Sequence, residues 1–231
     1  MNKLTTFFLC CVFLGVFSMN AQREKIQYST RFDNRIIHFG FYLGLNQKSF
    51  KISYTDVDTY IDIESSAGFS VGMIVGWKIH NNITLRLEPG LSSNTKVLSF
   101  TNISGGESEN VREIGATYLH IPLLLKLSTN RLNNFRPYVL GGFSYDYNFS
   151  SNEKNPDDNS NGEFRMTSSN FGYEVGIGVD FYMPFFIFSP SIRGAFAINN
   201  ELVYDEDPNS PWTGSVDYLG TRGVFINLAF H

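Results

Sequence analysis

From Phe171 to Phe181 the chain alternates large apolar residues with small or acidic ones. Phe171, Tyr173, Val175, Ile177, Val179 and Phe181 hold the odd positions; Gly172, Glu174, Gly176, Gly178 and Asp180 hold the even ones. Side chains on a strand point to opposite faces with period two. A soluble sandwich turns its apolar face inward and decorates the outside with Lys, Thr and Glu. Here the second face is glycine and acid. That suits a narrow polar lumen, with the apolar face turned to lipid.

The same alternation predicts eight strands. The first runs from about Arg35 to Leu45, with Ile37, Phe39, Phe41, Leu43 and Leu45 on one face. The second, Ala67 to His80, sets Phe69, Val71, Met73, Val75, Trp77 and Ile79 outward, and Ile74 breaks the rule. Asn81-Asn82 is a tight turn, because Asn tolerates positive φ. The third is Ile83 to Ser93 and the fourth about Glu113 to Ser128, in which Pro122 removes a ladder donor and predicts a local distortion. Arg136 to Phe149, the Phe171 run, Phe186 to Ala197 and Tyr218 to Phe230 complete the set, with a turn at Met183-Pro184-Phe185.

The connections are informative in their own right. Those after strands two, four and six are short; those after one, three, five and seven are polar and are expected to be roughly 20 residues each, the asymmetry of short periplasmic turns and long extracellular loops. An even strand count puts both chain ends on the periplasmic side. The predicted fold is therefore all-β, an eight-stranded antiparallel transmembrane β-barrel with short periplasmic turns and long extracellular loops.

The N-terminus fits that location. Lys3, the apolar stretch Leu4 to Phe17 and Ser18-Met19-Asn20-Ala21 describe a secretory signal peptide over residues 1–21. Residues 22–34 form a polar periplasmic lead-in, and 35–231 the outer-membrane barrel. Cys10 and Cys11 leave with the signal peptide, which removes disulfides and thiolate metal sites from the mature chain. No later apolar run approaches the ~20 residues of a membrane helix. A chain that crosses lipid without helices must close its sheet, because an open edge leaves backbone groups unpaired. The formal net charge of −4 and the lack of a basic patch argue against nucleic acid as a partner.

Eight strands leave an interior that side chains nearly fill. The inward positions carry His38, Lys78, Arg86, Glu88, His120, Lys126, Glu174, Asp180 and Arg193. Charges taken out of water need partners. The expected arrangement is a structural lumen network in which Arg86, Lys78 and Arg193 meet Glu88, Glu174 and Asp180; an open conducting pore is the alternative. Catalysis would require His38, His120, Asp180 and a serine such as Ser70 to converge, and no nucleophile motif accompanies them. No small-molecule substrate and no cofactor is expected. Metal-ligand spacing signatures are lacking; Asp56, Asp58, Asp62 and Glu64 form an acidic stretch in the first long loop, either solvated or a weak calcium site. Phe41, Trp77, Tyr145, Tyr147, Phe181, Phe185, Phe186 and Tyr218 gather near predicted strand ends, where aromatic belts meet the lipid headgroups.

Particular stretches resemble a known family. Ile37-His38-Phe39-Gly40-Phe41-Tyr42-Leu43-Gly44-Leu45-Asn46 looks like the opening of PorT/SprT proteins. Tyr118-Leu119-His120-Ile121-Pro122-Leu123-Leu124-Leu125-Lys126 resembles a strand of the wider group of outer-membrane barrels containing them, with His120 where Glu is common. Arg136 to Val139, Gly176 to Phe181, Phe185 to Arg193 and Ile198 to Asn200 continue the likeness. The resemblance implies a non-enzymatic barrel in the outer-membrane lipid, needed for type IX secretion and, in gliding species, for motility. It implies contact with other secretion components or with sorting-domain cargo. A general surface barrel for adhesion or envelope integrity is the alternative.

Overall fold

The computed structural model describes residues 28, 32, 35–54, 61–100, 110–154, 164–205 and 212–231. The predicted signal peptide, most of the lead-in, and Asp56 and Asp58 lie outside them. Ten strands form one antiparallel sheet: β1 (Ile37–Tyr54), β2 (Ile61–Ser65), β3 (Ala67–His80), β4 (Ile83–Leu87), β5 (Gly90–Phe100), β6 (Val111–Ser128), β7 (Phe135–Asn148), β8 (Ser169–Tyr182), β9 (Ile187–Ala197) and β10 (Val216–Phe230). The sheet closes: β1 pairs with β10 on one edge and with β3 on the other. β2 runs on into β3 across Ser66, whose N–H still reaches the Thr95 carbonyl. β4 runs on into β5 across Glu88 and Pro89. The ring is therefore eight strands around, two of them interrupted.

The second interruption has a clear cause. Pro89 has no N–H to give. Its carbonyl still accepts from the Met73 N–H, and the Glu88 N–H donates to the Pro122 carbonyl. Pro122 stays in register with Ser144 on the β7 side, so its distortion falls on the edge it shares with Glu88 and Pro89.

The exterior of the ring is apolar along one band. Phe171 and Val175 are 58% and 53% exposed, while Glu174 and Asp180 on the same strand are 1% and 5% exposed. A water-soluble sandwich would show the reverse. Phe41 stacks on Phe230 at 5.3 Å across the closing seam, and Phe188 and Phe186 join the same cluster. Trp77 and Phe185 stand exposed toward the short turns, and Tyr147, Phe171 and Tyr173 toward the loops.

Inside, glycine makes room for rings. A methyl added to Gly72 would stand 2.6 Å from the Tyr42 ring, and one on Gly178 would collide with the Tyr138 ring. Tyr42, Ile74 and Ala229 pack together, which explains the inward Ile74.

Three expectations change. The strands run past the band toward the loop end, so the first two connections shrink to residues 55–60 and 101–110. Asp62 and Glu64 therefore lie on β2, exposed, instead of in a loop. Above the band the polarity inverts. On β1, Gln47 and Lys51 face outward while Phe50 is buried. Phe50, Ile61, Leu98, Phe100, Phe164, Met166, Leu202, Val216 and Leu219 form a dry core there. Outside lipid, apolar faces lower their free energy by turning inward. The barrel thus carries a small water-facing head whose core lies over the lumen.

Candidate functional site

Among the described residues, charged and polar side chains concentrate in the lumen. Alternation on β4, β6, β7, β8 and β9 points charged side chains into the same narrow space. Glu88 is at its centre. Arg86 Nη2 lies 2.6 Å from Glu88 Oε1, and Arg193 Nη2 donates to Glu88 Oε2 at 2.5 Å. Arg193 Nη1 also faces Glu174 Oε2 at 3.7 Å. His120 links Glu174 to Asp146: its Nε2 is 2.8 Å from Glu174 Oε1 and its Nδ1 is 2.8 Å from Asp146 Oδ1. Carboxylates on both ring nitrogens require both to donate. The imidazole also stacks on Phe225 at 5.3 Å. Lys48 Nζ extends the chain of contacts, 3.8 Å from Asp146 and donating to Ser92 Oγ at 3.0 Å.

A second, separate group lies nearer the short turns. Lys126 Nζ donates to both oxygens of Asp180 at 2.7 Å, and Ser189 Oγ donates to Asp180 Oδ1 at 2.6 Å. Asp180 therefore pairs with Lys126, and neither Arg86 nor Arg193 reaches it. Lys78 is half-buried at the turn-side mouth, away from Glu88 and Glu174. His38 lines that same mouth, its ring edge-on to His231 at 5.4 Å. His120 lines a different cavity, with Lys48, Asp146 and Glu201. Ser70 Oγ donates to Asn227 Oδ1 at 3.5 Å. The histidines, Asp180 and Ser70 do not converge. Among the described residues no group of His, Cys, Asp and Glu is arranged to hold a metal ion.

Four buried participants went unnamed in the sequence reading. Asp146 has inward parity on β7, so the alternation that found Glu174 also marks it, whereas Lys48 lies on β1 past the expected end of the first strand at Leu45. Lys96 lies on the unexpected extension of β5, its ammonium 3.7 Å from the Phe50 ring centre. Glu201 follows β9 in a connection, where no periodicity points inward. It caps an open stretch of β10: Glu201 Oε1 accepts from the Thr221 N–H at 3.0 Å and Oε2 from Thr221 Oγ1 at 2.7 Å. Burial holds the Glu201 carboxyl above the usual carboxylate range, opposed by Lys96.

This arrangement fills space and compensates charge. Buried ion pairs add little net stability, but removal of one partner is costly. The cavity beside His120 is about 30 Å³, room for one or two waters. Around Glu88, Glu174 and His120 the described lumen is filled by buried side chains, with the apolar cluster of the head above them.

The match to a family model agrees with this architecture. A family model described as an outer membrane protein beta-barrel domain matches residues 20–203. The outer membrane protein OprG from Pseudomonas aeruginosa is 14% identical, with 84% of this chain and 93% of OprG covered and a TM-score of 0.47. Neisserial surface protein A (NspA) is 12% identical, with 84% of this chain and 97% of NspA covered and a TM-score of 0.43. Ail, the attachment invasion locus protein of Yersinia pestis, is 12% identical, with 83% and 96% covered and a TM-score of 0.39. No curated protein matches the chain.

Proposed function

The chain belongs to the outer membrane protein beta-barrel domain family, and we propose that within it this barrel is a non-enzymatic, non-conducting accessory component of type IX protein secretion. The observation that carries the reading is the stretch Ile37 to Asn46, which resembles the PorT/SprT opening and forms the first half of β1. The lumen supports a role without transport: its charges are paired across β4, β6, β7, β8 and β9, and a dry core lies above them. It also supports a role without catalysis, since both nitrogens of His120 are held by carboxylates and His38 sits at the other end. The work then falls to surfaces that contact other secretion components or sorting-domain cargo. Deletion in the native host, with cargo localised by fractionation, tests this. Cargo should accumulate in the periplasm and return to the surface on complementation; normal export from the deletion strain sinks the proposal.

The exposed acids of the head, Asp62, Glu64 and Glu113, favour a second reading, a general surface barrel whose loop end contacts other molecules. Normal cargo export together with a loss of envelope resistance on deletion would select it.

A further inference from the structure

The buried charges of the upper lumen do not cancel. Glu88, Glu174 and Asp146 balance Arg86, Arg193 and the doubly donating His120. Two further cations, Lys48 and Lys96, share one further acid, Glu201. Lys48 and Lys96 are 3% and 1% exposed, so water does not screen the surplus. Both ammoniums crowd one ring: Lys48 Nζ is 4.0 Å and Lys96 Nζ 5.8 Å from the centre of Tyr118. Lys48 Nζ donates to Ser92 Oγ. Lys96 Nζ has no hydrogen-bond acceptor among the described residues, and the Tyr118 hydroxyl has no partner there either. A buried donor left unused costs free energy, and a buried ammonium costs more. Lys48 and Tyr118 line the cavity of about 30 Å³ beside His120. The two carboxylates on that cavity are already engaged, Asp146 by His120 and Glu201 by Thr221.

We propose that this cavity binds one small monovalent anion, a chloride or bromide ion, between Lys48 and the Tyr118 hydroxyl, with Lys96 supplying the charge that holds it. The size fits: the space takes one or two waters, and a bare halide needs about that room. The charge fits, because a single negative ion cancels a single surplus cation where the surroundings are dry. The donors fit, because the Tyr118 hydroxyl gains an ionised acceptor, which makes a stronger hydrogen bond than a neutral one. A water fills the same space but leaves the surplus charge in place. Phosphate and sulfate are too large for the cavity and carry too much charge. The ion is taken up as the barrel closes around it and needs no channel. The inference rests on the lumen alone and goes beyond the secretion reading, so either can fail without the other.

The test uses the full mature chain refolded in zwitterionic vesicles and unfolded with urea, which brings no halide. Ionic strength is held constant with sodium chloride, bromide or gluconate. Chloride and bromide should raise the folding constant saturably, about tenfold at ten times the dissociation constant. Gluconate, too large for the cavity, should not. Lys96→Met removes the surplus cation; it should abolish the halide response and fold at least as well as the wild type in gluconate. Tyr118→Phe should weaken halide binding about tenfold, as the loss of a hydrogen bond to a charged group does. Lys51→Met, at an exposed position of β1, should leave the response unchanged. Crystals grown in bromide should show an anomalous peak within hydrogen-bond reach of Lys48 Nζ and the Tyr118 hydroxyl. If Lys96→Met does not refold, Tyr118→Phe and the bromide peak decide. The proposal is overturned if halides and gluconate give the same folding constant, or if Lys96→Met keeps the response, as a general salt effect would. It is also overturned if no bromide peak appears at the cavity, or if the nitrogen chemical shift of Lys96 is that of a neutral amine at neutral pH.

Discussion

Val175→Arg tests which side of the wall meets oil. The outward run on β8 extends from Phe171 to Phe181. At ~3.4 Å per residue it is roughly 34 Å long, and a strand tilt of about 40° reduces its height to ~26 Å, close to the ~25 Å apolar band of such barrels. Val175 lies near the middle, about 10 Å from the level of Phe171 and about 16 Å from that of Phe181 by the same arithmetic. An arginine there cannot snorkel the whole way to headgroups. Its cross-strand partners are Gly141 and Gly194, which offer no side chain to shelter the guanidinium. The expected cost is about 2–4 kcal/mol, or roughly 30- to 700-fold in the folding equilibrium. Glu113→Arg, an exposed outward position on the extension of β6, should cost less than about 0.5 kcal/mol. Denaturant titration of both variants in lipid vesicles, followed by tryptophan emission, measures the difference. Equal costs at the two positions, or a Val175→Arg variant as stable as wild type, would refute the placement of the lipid band and of the inversion above it.

Arg193→Met leaves Glu88 and Glu174 short of a partner in the closed lumen, so it should cost about 3–5 kcal/mol in the same titration. The double variant Arg193→Met with Glu88→Gln should recover part of that loss, and a cycle showing simple additivity would argue against a linked network. Gly178→Ala drives a methyl into the Tyr138 ring and should cost about 1–3 kcal/mol, whereas Gly178→Ala combined with Tyr138→Leu, which removes the ring, should cost less than the two single changes added together. In the β7–β8 connection the Ser168 N–H donates to Glu153 Oε2 at 2.7 Å. The Ser168 side chain and then its backbone amide hold the Glu153 carboxyl below the usual glutamate range. The stabilisation is present above that ordinary range and is lost as pH falls through the lowered value, because the unfolded loop takes up its proton first. Amide exchange at Ser168 should therefore be slow at neutral pH and lose protection in acid, and Glu153→Gln should abolish the pH dependence. A protection profile indifferent to pH would dispose of the tether.

The sequence alone determined the class of fold. A period-two pattern in which the minority face is glycine and acid allows few structures, since only a closed wall lets an apolar face look outward without unpaired edges. The same parity rule marked Glu88, Glu174, Asp180 and Arg193 as inward, because each strand carries its own alternation whatever it pairs with. Tertiary structure decided three things that no single strand encodes. Pairing across the barrel depends on register, shear and side-chain reach, so Asp180 meets Lys126 while His120 joins Glu174 to Asp146. Lys78 was left at the mouth because its depth is set by how far β3 descends toward the Asn81-Asn82 turn. The head was hidden for a related reason: Gln, Lys, Ser and Thr outward with Phe and Leu inward is the same alternation with its phase exchanged, and the point of exchange follows from where the lipid ends.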